Sequence, residues 1–231
     1  MKLQNILIDS LSCDSTYKKI VELDENKILE KIIPKTKDMK LNGECKYHVV
    51  NVYNHSLNAL KEFEDIIDED KFFSSHLRSY IKDYLNSDAG SNLNKLKLLK
   101  LGIFLHDIGK PDSKTIDNEG RVHFKGHEIV GADIAVNLGK DLDLQENTIN
   151  LLNIYVRHHM ILLVIYKTNN MSQEKLFEIF ETLGDDIIGV LLLGYCDIVA
   201  TRKLLNPNED TGVIKTYMEY ALTNYIYKYK K

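Results

Sequence analysis

The chain holds only three cysteines and three prolines in 231 residues. Cys13, Cys45 and Cys196 are odd in number and share no metal-ligand spacing, which speaks against a disulfide framework and a thiolate zinc site. They read as packing residues in a reducing compartment. Positive charge is not in excess either. With a formal net charge of −4, no overall field gathers polyanions, and long duplex nucleic acid is not an expected ligand, although the tail YIYKYKK is locally basic. The most apolar stretch, IIGVLLLGYC, is too short to span a bilayer, and the opening MKLQNILIDSLSCDSTYKK lacks the basic and apolar regions of a signal peptide. The expectation is a cytoplasmic protein with no membrane partner. Internal repeats, low-complexity tracts and Gly/Ser or Pro linkers are missing too, so nothing divides the chain.

What is present is a helix-rich globular composition, 44% hydrophobic and 28% charged. Apolar residues recur at three and four positions through most of the sequence, and strict alternation is almost absent. The fold class expected is all-α: a single compact multi-helix domain with at most one short β-hairpin. Helices are expected at about residues 24–33, 48–66, 71–86, 93–106, 127–140, 145–160, 172–182, 185–204 and 211–228. A polar loop, KTKDMKLNGECK, follows the first, and KTIDNEGRVHF carries the hairpin. Residues 1–41 read as an N-terminal helical extension, 42–204 as the main domain and 205–231 as a C-terminal helix packing on it.

The chemistry concentrates in polar residues stranded on apolar elements. LGIFLHDIGKPDSK places His106 and Asp107 at the end of a buried-looking helix, with Lys110 one turn on. A carboxylate there costs several kcal/mol, on the order of 3 or more, unless a cation or dense hydrogen bonding compensates it. Asp197 poses the same problem in IIGVLLLGYCDIVA, a helix apolar nearly all round and therefore central. His55 in VVNVYNHSLNAL, His127 in GHEIVGADIAVNL and His158-His159 in VRHHM are individually unremarkable; each reads equally as a capped, core or surface histidine. Together, these positions on different helices supply six nitrogen and oxygen donors, a set suited to two near-octahedral divalent ions bridged by Asp107.

The order H…HD…H…H…D, with HDxGK at its centre, resembles the HD superfamily of metal-dependent phosphohydrolases. The blocks KYHVVNVYNHSL, LGIFLHDIGKP, DNEGRVHFKGHEIVGADIA, VRHHM and LLLGYCDIVA are most similar to the C-terminal HD region of bacterial CCA-adding tRNA nucleotidyltransferases, over about residues 42–202. Nothing in residues 1–46 matches the nucleotidyltransferase head, so nucleotide addition is not implied.

Carried onto this sequence, the resemblance implies one metal at His55, His106, Asp107 and Asp197, and a second at Asp107, His127 and His159. His158 is left near the substrate or as an alternate ligand, and in a one-metal variant His127 and His159 bind phosphate instead. The cofactors implied are one or two divalent ions, among Mn, Fe, Mg, Ni and Co. Asp107, Lys110, Arg157 and His158 are the catalytic candidates: a metal-activated water attacks phosphorus, Lys110 and Arg157 add positive charge, and water, His123 or His158 protonates the leaving oxygen. Lys110 reads equally as a solvated lysine at a helix C-terminus.

The partner expected is a small phosphorylated substrate, a nucleotide or short RNA end; a 2',3'-cyclic phosphate is one such ester. The alternatives are a regulatory module that binds metal or nucleotide without turnover, and an oxygenase with a mixed-valent di-iron pair. The tyrosines of the C-terminal helix are expected to pack on the domain or on a twin subunit in a homodimer. The NEGR hairpin, just before His127, is placed to cover the site as a lid.

Overall fold

The computed structural model describes residues 3–42, 50–69, 71–206, 208 and 210–230. Cys45 and the start of the helix expected from residue 48 lie outside the described residues. The fold is all-α, with only two very small antiparallel strand pairs among the described residues.

The N-terminal segment departs most from expectation. In place of one helix over 24–33, four short helices appear: α1 (Leu3–Ser10), α2 (Thr16–Glu25), α3 (Leu29–Ile32) and α4 (Thr36–Leu41). The expected helix is interrupted at Lys27, whose φ of 57° is incompatible with continuing a right-handed turn. Helices this short are not stable alone and persist here through docking. Leu7, Ile20, Leu29 and Met39 are fully buried. The dock is polar as well. Glu64 accepts the backbone N–H of Thr16 (2.6 Å) and Tyr17 (3.2 Å) and the hydroxyl of Ser15 (3.0 Å), so a carboxylate from the next helix caps the N-terminus of α2.

That next helix, α5 (Val52–Asp68), starts at Asn51, whose side chain accepts the N–H of Asn54, and buries Val52, Leu57, Leu60 and Phe63. α6 (Ser75–Asn86) follows. A short pair, β1 (Asp88–Gly90) with β2 (Leu93–Asn94), then precedes α7 (Lys95–Leu105). This pair was not expected from the sequence: its bulged register of two or three residues is below the length at which alternation becomes visible. The hairpin that was expected is present as β3 (Thr115–Ile116) against β4 (Val122–His123).

Beyond it run α8 (His127–Asp141), α9 (Glu146–His158), α10 (Ile161–Thr168), α11 (Gln173–Leu183), α12 (Ile187–Leu205) and α13 (Gly212–Tyr229). By length and composition, Glu146–Thr168 matches a membrane span, yet half of its apolar window is buried inside the fold. α12 is the central element, with every residue from Ile187 to Ala200 buried. It packs on α5, α7, α9, α10 and α13, which explains why its sequence is apolar on all sides. Asp197 is thereby brought into the interior, facing the end of α7.

Candidate metal centre

The helix α7 ends at His106, and the chain turns through Asp107, Ile108, Gly109 and Lys110. The glycine is required by close approach. A Cβ at Gly109 falls 2.2 Å from the carbonyl oxygen of His127 and 2.4 Å from the N of Gly131, both backbone atoms of α8. The His-Asp turn is therefore pressed against the first turns of α8, and this contact sets His127 opposite Asp107. A similar contact acts on the other side: a Cβ at Gly194 of α12 lies 3.0 Å from the carbonyl oxygen of His159.

Six side chains meet here. Donor atoms of His55, His106, Asp107 and Asp197 lie within 4.8 Å of one another, as do those of Asp107, His127 and His159. Asp107 belongs to both groups and divides its oxygens between them. Its Oδ2 lies 3.3 Å from His106 Nε2 and 3.4 Å from His55 Nε2, while its Oδ1 lies 3.2 Å from His127 Nε2 and 3.8 Å from His159 Nε2. Asp197 Oδ1 sits 2.9 Å from His55 Nε2 and 3.5 Å from His106 Nε2. All six residues are buried.

The tautomers follow from the backbone. His106, His127 and His159 place Nδ1 2.7, 2.8 and 2.7 Å from the carbonyls of Ile103, Phe124 and Val156. A carbonyl only accepts, so each Nδ1 is the donor and the neutral ring keeps its lone pair on Nε2. Those lone pairs face carboxylate oxygens and other ring nitrogens: His106 Nε2 lies 3.2 Å from Nε2 of His55, and the Nε2 atoms of His127 and His159 are also 3.2 Å apart. Asp107 Oδ2 is buried, and the only lysine or arginine beside it among the described residues is Lys110, through its ammonium. Such a cluster of acceptors is stable only around cations, either protons or metal ions. The donor set is nitrogen and oxygen without sulfur, which suits Mn, Fe, Ni or Co and differs from a structural zinc site.

The ionisation pattern of the metal-free centre shows the same conflict. Burial opposes charge on His106, but Asp107 and Asp197 outweigh it and raise its pKa to about 10. Burial and the neighbouring His106 push His159 down to about 3. Burial also lowers His55, against the pull of Asp197. For Asp107, burial favours the neutral acid, yet Lys110 and His106 hold the carboxyl well below the usual carboxylate range. Lys110 Nζ lies 2.5 Å from Asp107 Oδ2 and is itself buried.

A cavity of about 410 Å³ opens on this cluster, reached by Asp107, Lys110, His127 and Asp197. His123 of β4 lines it too, with its Nε2 2.8 Å from Asp117 Oδ2, so one strand of the expected hairpin forms part of the wall. Arg157 and His158 do not line it. Arg157 reaches Asn153 and Asp133 instead, and His158 is half-buried elsewhere. The reason is angular: successive helical side chains diverge by about 100°, so turning His159 inward carries its two predecessors away. Tyr166, Lys167, Thr201 and Arg202, which the sequence reading passed over, do line the cavity. Thr201 follows Asp197 by about one helical turn, so its place on the wall is readable from spacing; Arg202, five residues on, and Tyr166 and Lys167, on another helix, are not.

A family model described as "HD domain" matches residues 48–176, more than half of the chain. The chain belongs to the HD domain family. That family is of the metal-dependent phosphohydrolase type, and the buried His/Asp cluster of this HD domain fits divalent-metal binding. No curated protein matches the chain. The matched region contains His55, His106, Asp107, His127 and His159; Asp197 lies beyond it and joins the centre through α12.

Proposed function

We propose that this HD domain hydrolyses a phosphate ester, a phosphomonoester or phosphodiester of a nucleotide or RNA-end type. The reading is carried by one observation: Asp107 presents one oxygen to each of two histidine pairs. His55, His106, Asp107 and Asp197 would hold one divalent ion, and Asp107, His127 and His159 a second. Ions there supply charge neutralisation at a phosphoryl group and a water acidified enough to act as nucleophile.

The protein's own groups do the rest. Lys110, anchored by Asp107, sets a fixed positive charge at the cavity floor for a non-bridging phosphoryl oxygen. The Nδ1 bonds to Ile103, Phe124 and Val156 hold the imidazoles in orientation, so little reorganisation is needed on binding. The apolar part of the wall lowers the local dielectric and strengthens each charge interaction beside it. The nucleotide or RNA-end assignment rests on the resemblance read from the motif blocks of the sequence, and on the basic groups that line the cavity beside Asp107 and Asp197.

Hydrolysis of p-nitrophenyl phosphate and bis(p-nitrophenyl) phosphate, with the protein loaded in turn with Mn, Fe, Ni, Co and Mg, tests the proposal. Turnover that needs a divalent ion and disappears in a folded Asp107→Ala variant supports it. No turnover with any metal points to a binding module, and oxygen consumption by the iron-loaded protein to an oxygenase.

A further inference from the structure

The hairpin supplies a group that the metal centre does not use. Among the described residues two histidines line the cavity, His123 and His127. His127 has both nitrogens engaged at the centre, Nδ1 on the Phe124 carbonyl and Nε2 facing Asp107 Oδ1. His123 stands outside the cluster, on β4, and its Nε2 lies 2.8 Å from Asp117 Oδ2.

This pairing goes beyond what the turn requires. Asp117 Oδ1 accepts the amides of Glu119 and Arg121, both at 2.9 Å, and the Asp117 amide donates to the Arg121 carbonyl at 3.0 Å, so the turn closes without any histidine. The second oxygen takes side chains, Arg121 Nε at 2.8 Å and the His123 ring. Hydrogen bonds from His123 and from the amide and guanidinium of Arg121 hold the Asp117 carboxyl well below the usual carboxylate range, so it meets the ring as an anion. An anion only accepts. Nε2 therefore carries the proton in this bond, and Nδ1 is the nitrogen left to exchange one with a ligand. A carboxylate on one nitrogen of an imidazole fixes both the orientation and the tautomer of the ring.

The strand register ties this ring to the centre. His123 pairs with Thr115, and Val122 with Ile116, across the hairpin. The next residue, Phe124, gives its carbonyl to His127 Nδ1 at 2.8 Å, and its ring lies 5.9 Å from Lys110 Nζ. His123 is thus one residue from the carbonyl that orients a ring of the centre. His158, the other histidine that the sequence offers for proton transfer, does not line the cavity.

We propose that His123 is a catalytic residue, the proton donor to the leaving oxygen, with Asp117 as its positioning residue, and that the substrate is an O-alkyl ester of phosphate. The inference rests on the hydrolase reading of the centre. A water oxygen bonds to phosphorus and the bond from phosphorus to the ester oxygen breaks. Its electron pair stays on that oxygen, which takes the proton from Nδ1 of the imidazolium and departs as a neutral alcohol. The proton released by the water restores the ring. The substrate class follows from the demand for this proton. An alkoxide is too basic to leave unaided, whereas the phosphate of an anhydride or a nitrophenolate leaves without one. An aimed acid therefore serves alkyl esters, a class that includes the ribose esters of nucleotides and excludes their anhydrides.

The probes are n-butyl phosphate and its bridging-sulfur analogue, S-butyl phosphorothioate, which share an apolar body and differ in the basicity of the leaving atom. kcat/KM for each is measured in the full chain, loaded with the metal ions used for the aryl phosphates. In His123→Gln the ratio of O-ester to S-ester turnover is expected to fall by about a hundredfold or more. Asp117→Asn, which sets an amide where the ring needs an anion, moves the ratio in the same direction. A second readout does not depend on turnover. Diethyl pyrocarbonate labelling is followed at the tryptic peptide VHFK, in which His123 is the sole histidine. n-Butylphosphonate, which cannot be hydrolysed, is bound to saturation as judged by calorimetry. It is expected to slow labelling of His123 and to leave that of His76, on α6 against Thr223, unchanged.

Equal losses on the two esters in His123→Gln mean that the hairpin acts only as a wall; they overturn the proposal and leave hydrolysis standing. Undiminished labelling of His123 under bound phosphonate overturns it too, whether or not the variants fold. Wild-type turnover of the S-ester without the O-ester overturns the alkyl substrate class. No turnover of these esters or of aryl phosphates with any metal ion overturns the hydrolase reading and the acid role together.

Discussion

His127 and His159 face each other through their Nε2 atoms at 3.2 Å, and each is held by its Nδ1 on a backbone carbonyl. Neither ring can turn away without giving up a buried hydrogen bond, so the pair awaits a cation. Metal analysis of protein purified without chelator is expected to give two ions per chain in the wild type, one in His127→Ala or His159→Ala, and none retained in Asp107→Ala. Fewer than one ion in the wild type under every loading condition would sink the two-metal arrangement.

Alkaline pH should act differently on the metal-free and loaded proteins. In the metal-free centre the pKa of His106 is raised to about 10, against about 6.5 in an unfolded chain. Between those values the folded state binds more protons than the unfolded state, so the contribution is complete below pH ~6.5 and fades as pH climbs through ~10. Chelator-treated protein should therefore lose thermal stability from pH 7 to 9.5 more steeply than Mn-loaded protein, in which the ion replaces the proton. Comparing the two forms cancels groups remote from the centre, and parallel melting curves would refute the assignment.

Gly109→Ala is expected to destabilise the protein by about 3 kcal/mol, because the added methyl meets backbone rather than a flexible side chain. Relief requires the turn carrying Asp107 to move off α8, so metal affinity should fall together with melting temperature. A variant that melts as the wild type does and keeps its metal would show that the contact is not tight.

Glu64→Ala should cost about 2 kcal/mol by leaving the amides of Thr16 and Tyr17 without their acceptor. Hydrogen exchange is expected to rise across α1 and α2 while metal content stays at the wild-type value. Uniform exchange along the whole chain would instead mean that the N-terminal helices unfold only with the core.

Several of these features were legible in the sequence because they are expensive. Asp107 and Asp197 stand in runs too apolar to carry a carboxylate without a partner, and the histidines follow in an order that matches a family pattern. The long helices were legible for a related reason, since each keeps an apolar stripe against a core. α1 and α2 were not: they are short, and although Ser15 caps α2 locally, the carboxylate that takes its first amides comes from α5, 48 and 47 residues away in sequence. The family resemblance puts Arg157 and His158 near the site, whereas what decides their place is direction around the helix. Arg202 was overlooked for the opposite reason. Five places on from Asp197 is about 140° around α12, so helical phase does not by itself bring Arg202 to the cavity that both residues line.

The division of Asp107 between two histidine pairs has a consequence for how the centre fills. One carboxylate cannot serve two cations independently: the first to arrive fixes its orientation and withdraws charge from the oxygen left for the next. Occupancy of the two positions is then cooperative in geometry and antagonistic in charge, so a metal titration should resolve into two unequal steps, with the tighter one at the position that Asp197 shares.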